Sequence, residues 1–447
     1  MIYRITGFLL LIETAMLLCC GGVSLLYHED DLISFLQSAS LTALMGVVLL
    51  FIGRGAEKQL GRRDGYVIVT VAWLAFSLFG MLPFYLSGYI PSITNAFFET
   101  MSGFSSTGAT ILNDIEKLPH GLLFWRSMTQ WIGGLGIVFF TIAVLPIFGV
   151  GGIQVFAAEA SGPTHDKVHP RIGITAKWIW GIYAGLTGTL IILLMFGGMN
   201  IFDSICHAFA TTSTGGFSTK QASIEYYHSP YIEYVISIFM FISGINFTLL
   251  LLFVNGKLKK FVHDAELKWY FWSVTGFTIV IAAILYYNSS MGVEEAFRKS
   301  LFQVASLHTS TGFATADYMT WPAITWGMLT VIMIMGACAG STTGGIKHPS
   351  GYTGQSFKKR IQTHHTSQRR ASGTGKQTGY LSLHTFYRVS IHFLVYRTNY
   401  RRHIGNARVR SRPDGIIGMY HLQSGKHGTR TRPVWSCLLM ERTARCC

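Results

Sequence analysis

Long apolar runs, broken by short polar segments, dominate the first 340 residues of this chain. Runs of roughly 20 residues, enough to cross a bilayer as helices, lie near 5–27, 32–53, 66–86, 121–147, 174–198, 231–255, 268–288 and 321–339. The pattern predicts an all-α polytopic membrane protein with about eight transmembrane helices. Three further stretches, 95–104, 203–211 and 295–308, are semi-apolar and too short to cross. Each is followed by a Ser/Thr/Gly-rich segment and then by another long run. The predicted unit is therefore helix, half-helix, polar loop, helix.

The polar loops are related to one another. "ETMSGFSSTGAT" (99–110), "CHAFATTSTGGF" (206–217) and "QVASLHTSTGFA" (303–314) align without a gap on Ser-Thr-Gly at 106–108, 213–215 and 310–312, at spacings of 107 and 97 residues. Such recurrence is the signature of a repeat architecture. Non-helical backbone at membrane depth is tolerated only where protein buries it or where it lines a watery path. Glycine allows positive φ, so successive carbonyls can point inward. A ring of carbonyl oxygens can replace the hydration shell of a monovalent cation, and the half-helix in front would aim its negative C-terminal end at the ion. The candidate ion-binding residues are thus Ser106, Thr107 and Gly108, Ser213, Thr214 and Gly215, and Ser310, Thr311 and Gly312.

Composition supports the membrane reading and excludes an ordinary soluble enzyme: 14% of the 447 residues are aromatic and only 13% charged. The formal charge of +15 is misleading. Residues 1–347 carry 18 Lys and Arg against 19 Asp and Glu, whereas 348–447 carry 18 against 2. Within the body, basic residues gather in three loops: Arg54 to Arg63, Lys167 with Arg171, and Lys257 to Lys260. The positive-inside rule makes these loops and the N-terminus cytoplasmic. The first apolar run is too long for a signal h-region and lacks an A-x-A site, which predicts a retained helix. The seven cysteines have no metal-ligand spacing and the histidines form no ligand set, so no transition-metal site is expected.

Four other stretches join the three loops in a family pattern: "WIGGLGIV" (131–138), "SGPTHDKVHPRI" (161–172), "DAELKWY" (264–270) and "GACAGSTTGGIK" (336–347). With "SSTGAT", "TSTGGFST" and "TSTGFATADY", they resemble the TrkH/KtrB superfamily of potassium transporters over residues 1–347. The resemblance implies repeated pore units around a central potassium path after two extra N-terminal helices. It divides the chain into the extra pair (1–60), pore repeats at 61–172, 173–262 and 263–347, and a remainder (348–447). It also implies a gating loop below the filter at Gly340, Ser341, Thr342, Thr343, Gly344 and Gly345, a homodimer, and a cytoplasmic nucleotide-binding regulatory subunit. By this reading the chain is no enzyme, binds no cofactor other than potassium and no nucleic acid, and lies in the bacterial cytoplasmic membrane.

Other features leave alternatives open. Gly340 to Gly345 has the G-x-x-x-x-G spacing of a phosphate loop, but Ile346 stands where its lysine belongs and no strand precedes it. A helix end capped by glycine accounts for the same residues. Glu99 and Asp203 are candidates to cap half-helices or to attract cations, with capping favoured for Asp203. Glu13 and Arg126 fit either a functional role within the membrane or a snorkelling position at its interface. A sodium-coupled solute carrier with broken helices is the competing function. It is disfavoured because these repeats run in the same sense and are lined by threonine.

After Lys347 the family pattern stops. Residues 348–447 hold no apolar run near 20 residues and no fourth Thr-Gly loop. A cytoplasmic basic tail that binds anionic lipid or nucleic acid would explain the composition; an out-of-frame translation explains it better, and the segment is then expected to be disordered and without function. With three pore loops, the chain as written is not expected to conduct selectively. Reading the coding DNA after codon 347 in the two other frames is expected to reveal a fourth Thr-Gly or Asn-Gly loop; its absence from both would remove the frameshift explanation.

Overall fold

The computed structural model describes residues 2–55, 62–136, 172–289 and 291–345. The chain divides into two units, Met1–Thr353 and Gly354–Cys447, and every described residue belongs to the first. The expectations for 137–171 and for 346–447, including the tail, lie outside the described residues.

Two long helices, α1 (Ile2–Tyr27) and α2 (Leu32–Ile52), form an antiparallel pair. Small residues set how closely they approach: a Cβ on Gly7 would stand 2.8 Å from the Gly46 carbonyl oxygen, and one on Gly46 would stand 3.1 Å from the Leu11 side chain. In lipid, where apolar burial gains little, close backbone packing of this kind is what holds helices together.

The pair packs on a first unit, made of α3 (Arg62–Gly80), α4 (Leu82–Leu86), α5 (Ile93–Phe104) and α6 (His120–Gly134). α3 ends at Gly80 because Pro83 has no N–H to continue the ladder. The Trp125 indole on α6 donates to the Gly80 carbonyl at 2.8 Å. The second unit comprises α7 (Ile172–Phe196), α8 (Ile201–Thr212), α9 (Pro230–Ser243) and α10 (Phe247–Val254). After the short α11 (Leu258–Val262), the third contains α12 (Ala265–Asn288), α13 (Val293–His308) and α14 (Ala323–Ile334).

Five described helices are long and apolar enough to cross a membrane, or six if α9 and α10 count as one. Large apolar side chains such as Phe196 and Tyr287 are about 80% exposed on the outer surface (80% and 81%), as expected where lipid is the solvent. The half-helices predicted at 95–104, 203–211 and 295–308 are α5, α8 and α13.

Two predicted crossings need correction. The run at 231–255 is bent by 101° between α9 and α10. Gly244 sits at the bend because a Cβ there would stand 2.3 Å from the Tyr270 hydroxyl oxygen, and Asn246 caps α10 by accepting from Thr248 N–H at 2.7 Å. The run at 321–339 is helical only from Ala323 to Ile334; Met335 is extended and the chain leaves as a loop. Hydropathy registers both runs as spans because it sees composition and not the glycine that breaks the helix.

The glycine contact between α1 and α2 is testable. Gly7→Val forces a side chain against backbone, an overpacking that costs about 1–3 kcal/mol. It is expected to lower the thermal midpoint of the detergent-solubilised protein. Gly22→Ala, in the same helix but with no atom within 4 Å of its added methyl, should leave the midpoint almost unchanged.

Candidate functional site

The three Ser/Thr/Gly loops begin in the same way. At each half-helix C-terminus, two successive N–H groups fold back onto the last turn. Ser106 and Thr107 donate to the Gly103 and Ser102 carbonyls, Thr214 and Gly215 to those of Thr211 and Ala210, and Ser310 and Thr311 to those of Leu307 and Ser306, all at 2.8–3.1 Å. The first residue of each pair is left-handed: φ is 51° at Ser106, 53° at Thr214 and 58° at Ser310. Two residues on, a glycine is left-handed again: 73° at Gly108, 78° at Gly216 and 86° at Gly312. A left-handed residue with a side chain costs about 1 kcal/mol or more, and such strain gathers at functional sites.

These angles correct the register of the second loop. Ser106-Thr107-Gly108 and Ser310-Thr311-Gly312 superpose by conformation on Thr214-Gly215-Gly216, not on Ser213-Thr214-Gly215. Ser213 is instead the C-cap of α8, equivalent to Ser105 and Thr309. The structural spacings are therefore 108 and 96. Identity of the Ser-Thr-Gly triplet concealed this, and Gly216 was missed for that reason.

The loops interlock. A Cβ on Gly108 would lie 2.1 Å from the Gly215 carbonyl oxygen, and one on Gly216 would lie 1.8 Å from the Thr311 carbonyl oxygen. The left-handed glycine of one loop thus abuts the carbonyl of the next, and only glycine allows the approach. Among the described residues, a Cβ on Gly312 would meet nothing within 4 Å.

Behind the loops, one buried polar position recurs in the corrected register as Glu99, His207 and Gln303. Glu99 accepts from Thr110 Oγ1 at 2.9 Å and from Ile111 N–H at 3.0 Å, on the segment leaving the first loop. His207 Nδ1 donates to the Asp203 carbonyl at 2.8 Å, so in the neutral ring Nε2 accepts from Ser218 Oγ at 2.9 Å. Glu99 therefore does not cap α5; Ser92 does, and Asn200 caps α8. Asp203, favoured as a cap, instead accepts from Thr219 Oγ1 at 2.6 Å.

Arg126 is 2% exposed, so it does not snorkel. Its Nε donates to Glu99 at 2.9 Å and its Nη1 to the Ser218 carbonyl at 3.2 Å, and its guanidinium lies 4.1 Å from the Phe217 ring centroid. One side chain thereby joins the first loop's brace to the second loop. Glu13 is also fully buried, and neither of its oxygens has a hydrogen-bond partner among the described residues. Gln130, also on α6 and 0% exposed, reaches the second loop directly. Its Nε2 donates to the Gly215 carbonyl at 2.7 Å and its Oε1 accepts from Phe217 N–H at 3.0 Å. Sequence reasoning missed Gln130 and His207; polar residues inside apolar helices were the available signal.

The segment from Gly336 to Gly345 lies against the second and third loops. Its backbone is tied to the α9–α10 bend, with Cys338 N–H donating to the Gly244 carbonyl and Phe247 N–H to the Gly340 carbonyl, both at 3.1 Å. Glu266 on α12 accepts from Ala339 N–H at 2.6 Å. Thr342 Oγ1 lies 3.3 Å from both the Thr212 and Ser243 carbonyls and 3.4 Å from Thr214 Oγ1. Ser341 Oγ is 2.8 Å from Thr343 Oγ1, and a Cβ on Gly344 would lie 3.2 Å from Ser310 Oγ. Gly340 and Gly345 turn the chain with φ of 75° and 80°. Six small residues thus lie across the C-terminal ends of α8 and α13, a role that a simple helix cap does not describe. Among the described residues, no group of three or more His, Cys, Asp or Glu side chains could hold a metal ion.

Known proteins resemble this chain over most of its length. A family model described as "TrkH: Cation transport protein" matches residues 33–402. The Trk system potassium uptake protein TrkH of Escherichia coli K12 is 40% identical over 356 residues, covering 77% of this chain and 72% of that protein. The Halomonas elongata protein of the same name is 38% identical over 350 residues, covering 78% and 73%. Among solved structures, the crystal structure of the potassium transporter TrkH from Vibrio parahaemolyticus matches with a TM-score of 0.70 at 31% identity, covering 90% of this chain and 85% of that one.

The Arg126–Glu99 pair gives a direct test of how the ring is supported. Arg126→Met strands a buried carboxylate and should cost about 3–5 kcal/mol, read as a loss of thermal stability and yield. Adding Glu99→Gln is expected to restore much of that loss, because the unpaired charge is gone.

Proposed function

This chain belongs to the TrkH family of cation transport proteins, and we propose that it takes up potassium across the bacterial cytoplasmic membrane. One observation carries the reading: three loops repeat the same backbone, left-handed at the first and third residues of each triplet, and interlock glycine against carbonyl. Alternation of this kind turns successive carbonyls to one side, where they can replace water around a dehydrated monovalent cation. The half-helices α5, α8 and α13 end at the ring, so their negative C-terminal ends face the ion. The oxygens are assigned to Ser106, Thr107 and Gly108, to Thr214, Gly215 and Gly216, and to Ser310, Thr311 and Gly312.

The segment Gly340–Gly345 acts as the gate. It blocks the path below the ring while Thr342 bonds to Thr212, Thr214 and Ser243, and it opens when those bonds break. Its other ties, to Glu266 on α12 and to the α9–α10 bend, give a route by which cytoplasmic changes reach it. The basic loops support a cytoplasmic N-terminus. Family resemblance supports a homodimer and a cytoplasmic nucleotide-binding regulatory subunit, and the pore repeats at 61–172, 173–262 and 263–347 follow the same resemblance. The carrier alternative is disfavoured by the same-sense repeat, which the common backbone of all three loops extends to atomic detail.

Rubidium uptake in cells lacking their own potassium uptake systems tests this function. A version continued after Lys347 in the frame that encodes a fourth loop is expected to support uptake, and Gly216→Ser in that version to abolish it. Failure of the continued version, made and inserted at normal levels, would count against potassium transport and for the solute-carrier reading.

A further inference from the structure

Positions 107, 215 and 311 hold the same place in the three loops, each between two left-handed residues, but are not one residue. Two are threonine and the middle one is glycine. In the first and third loops the threonine hydroxyl bonds to its neighbour: Thr107 Oγ1 to Ser105 Oγ and Thr311 Oγ1 to Thr309 Oγ1, both at 2.7 Å. The β-branch also stiffens the residue itself. Gly215 has neither restraint and is followed by Gly216, so the second loop holds the least constrained pair of residues in the ring.

The place of the missing side chain is nevertheless filled. A Cβ built on Gly215 would stand 2.4, 2.6 and 2.7 Å from the Cδ, Oε1 and Nε2 atoms of Gln130. That amide bonds to the Gly215 carbonyl and the Phe217 N–H, so it fixes the peptides on both sides of Gly216. The Gly215 carbonyl is also the one packed against Gly108.

We propose that Gln130 is a specificity-determining residue, supplying from α6 the restraint that threonine supplies within the first and third loops. The inference rests on the reading of the ring as a potassium filter. By holding the Gly215 carbonyl, Gln130 keeps the second quarter from closing on a smaller ion. Its N–H group also occupies one lone pair of that oxygen, leaving the other for the cation. Selectivity by a carbonyl ring depends on the number, field and freedom of its oxygens, and Gln130 acts on the field and freedom of one of them in this quarter.

The test uses the version continued after Lys347 in the frame that encodes a fourth loop, purified in detergent, with the thermal midpoint measured in increasing potassium or sodium chloride at constant ionic strength. The ratio of the two half-maximal concentrations gives the ion preference. With Gln130 and Gly215 intact, this version is expected to favour potassium. Gln130→Met, similar in length but without the amide, is expected to reduce that preference roughly three- to tenfold, the loss of about one hydrogen bond. Gly215→Thr alone should lower the midpoint in every salt, because its side chain meets Gln130. Gln130→Ala with Gly215→Thr rebuilds a threonine quarter and is expected to recover both the midpoint and the preference.

If Gln130→Met lowers the midpoint but leaves the preference at the wild-type value, Gln130 is a packing residue and the proposal fails. Should Gln130→Met not fold, the double variant decides: folded but without potassium preference, it overturns the proposal. If the continued version with Gln130 and Gly215 intact does not distinguish the ions, the filter reading itself is removed, which is a separate result.

Discussion

A peptide that leaves the helical path inside a membrane must find every hydrogen-bond partner within the protein, since lipid offers none. That constraint organises this molecule. At three places a half-helix stops at membrane depth and gives way to irregular backbone, and at each one side chains from behind take up the exposed groups. Ser102 Oγ donates to the Ala109 carbonyl at 2.6 Å and Ser306 Oγ to the Phe313 carbonyl at 2.7 Å, the same contact in the first and third loops. The second loop has Ala210 at that position, and there Gln130 and His207 serve instead. Arg126 then ties the first and second braces together. On the proposed reading, the carbonyls left for an ion are those that these side chains leave free.

The same constraint explains how much could be read from the sequence. Long helices and half-helices were legible because apolar length and its interruption are written locally. The loops were legible because three copies of an otherwise ordinary triplet fell at equivalent places. The register of the second loop was not, because letters and backbone disagree there. Ser213-Thr214-Gly215 matches the other copies by residue, whereas Thr214-Gly215-Gly216 matches them by φ. A glycine tolerates either conformation, so two in succession leave the sequence ambiguous by one position. The correction also aligns Glu99 with His207 and Gln303, three dissimilar residues whose equivalence appears only through their shared position behind the loops.

Arg126 and Glu99 were visible as ionisable residues near apolar runs, but their pairing was not, since 27 positions separate them in the chain. Tertiary packing brought α5 and α6 side by side. The bend between α9 and α10 and the early end of α14 were hidden for a related reason. Each depends on a partner distant in sequence, Tyr270 in one case and the α12 carboxylate of Glu266 in the other.

The bend also bears on the order in which the protein can be made. Its Gly244 carbonyl and Phe247 N–H are bonded to Cys338 and Gly340, which leave the ribosome more than 90 residues later. Until then a bent segment would present two unpaired backbone groups to the bilayer core, at several kcal/mol each. A straight helix over the same residues would satisfy both within itself. The 101° bend between Pro230–Ser243 and Phe247–Val254 is therefore favoured only in a chain long enough to include Cys338 and Gly340.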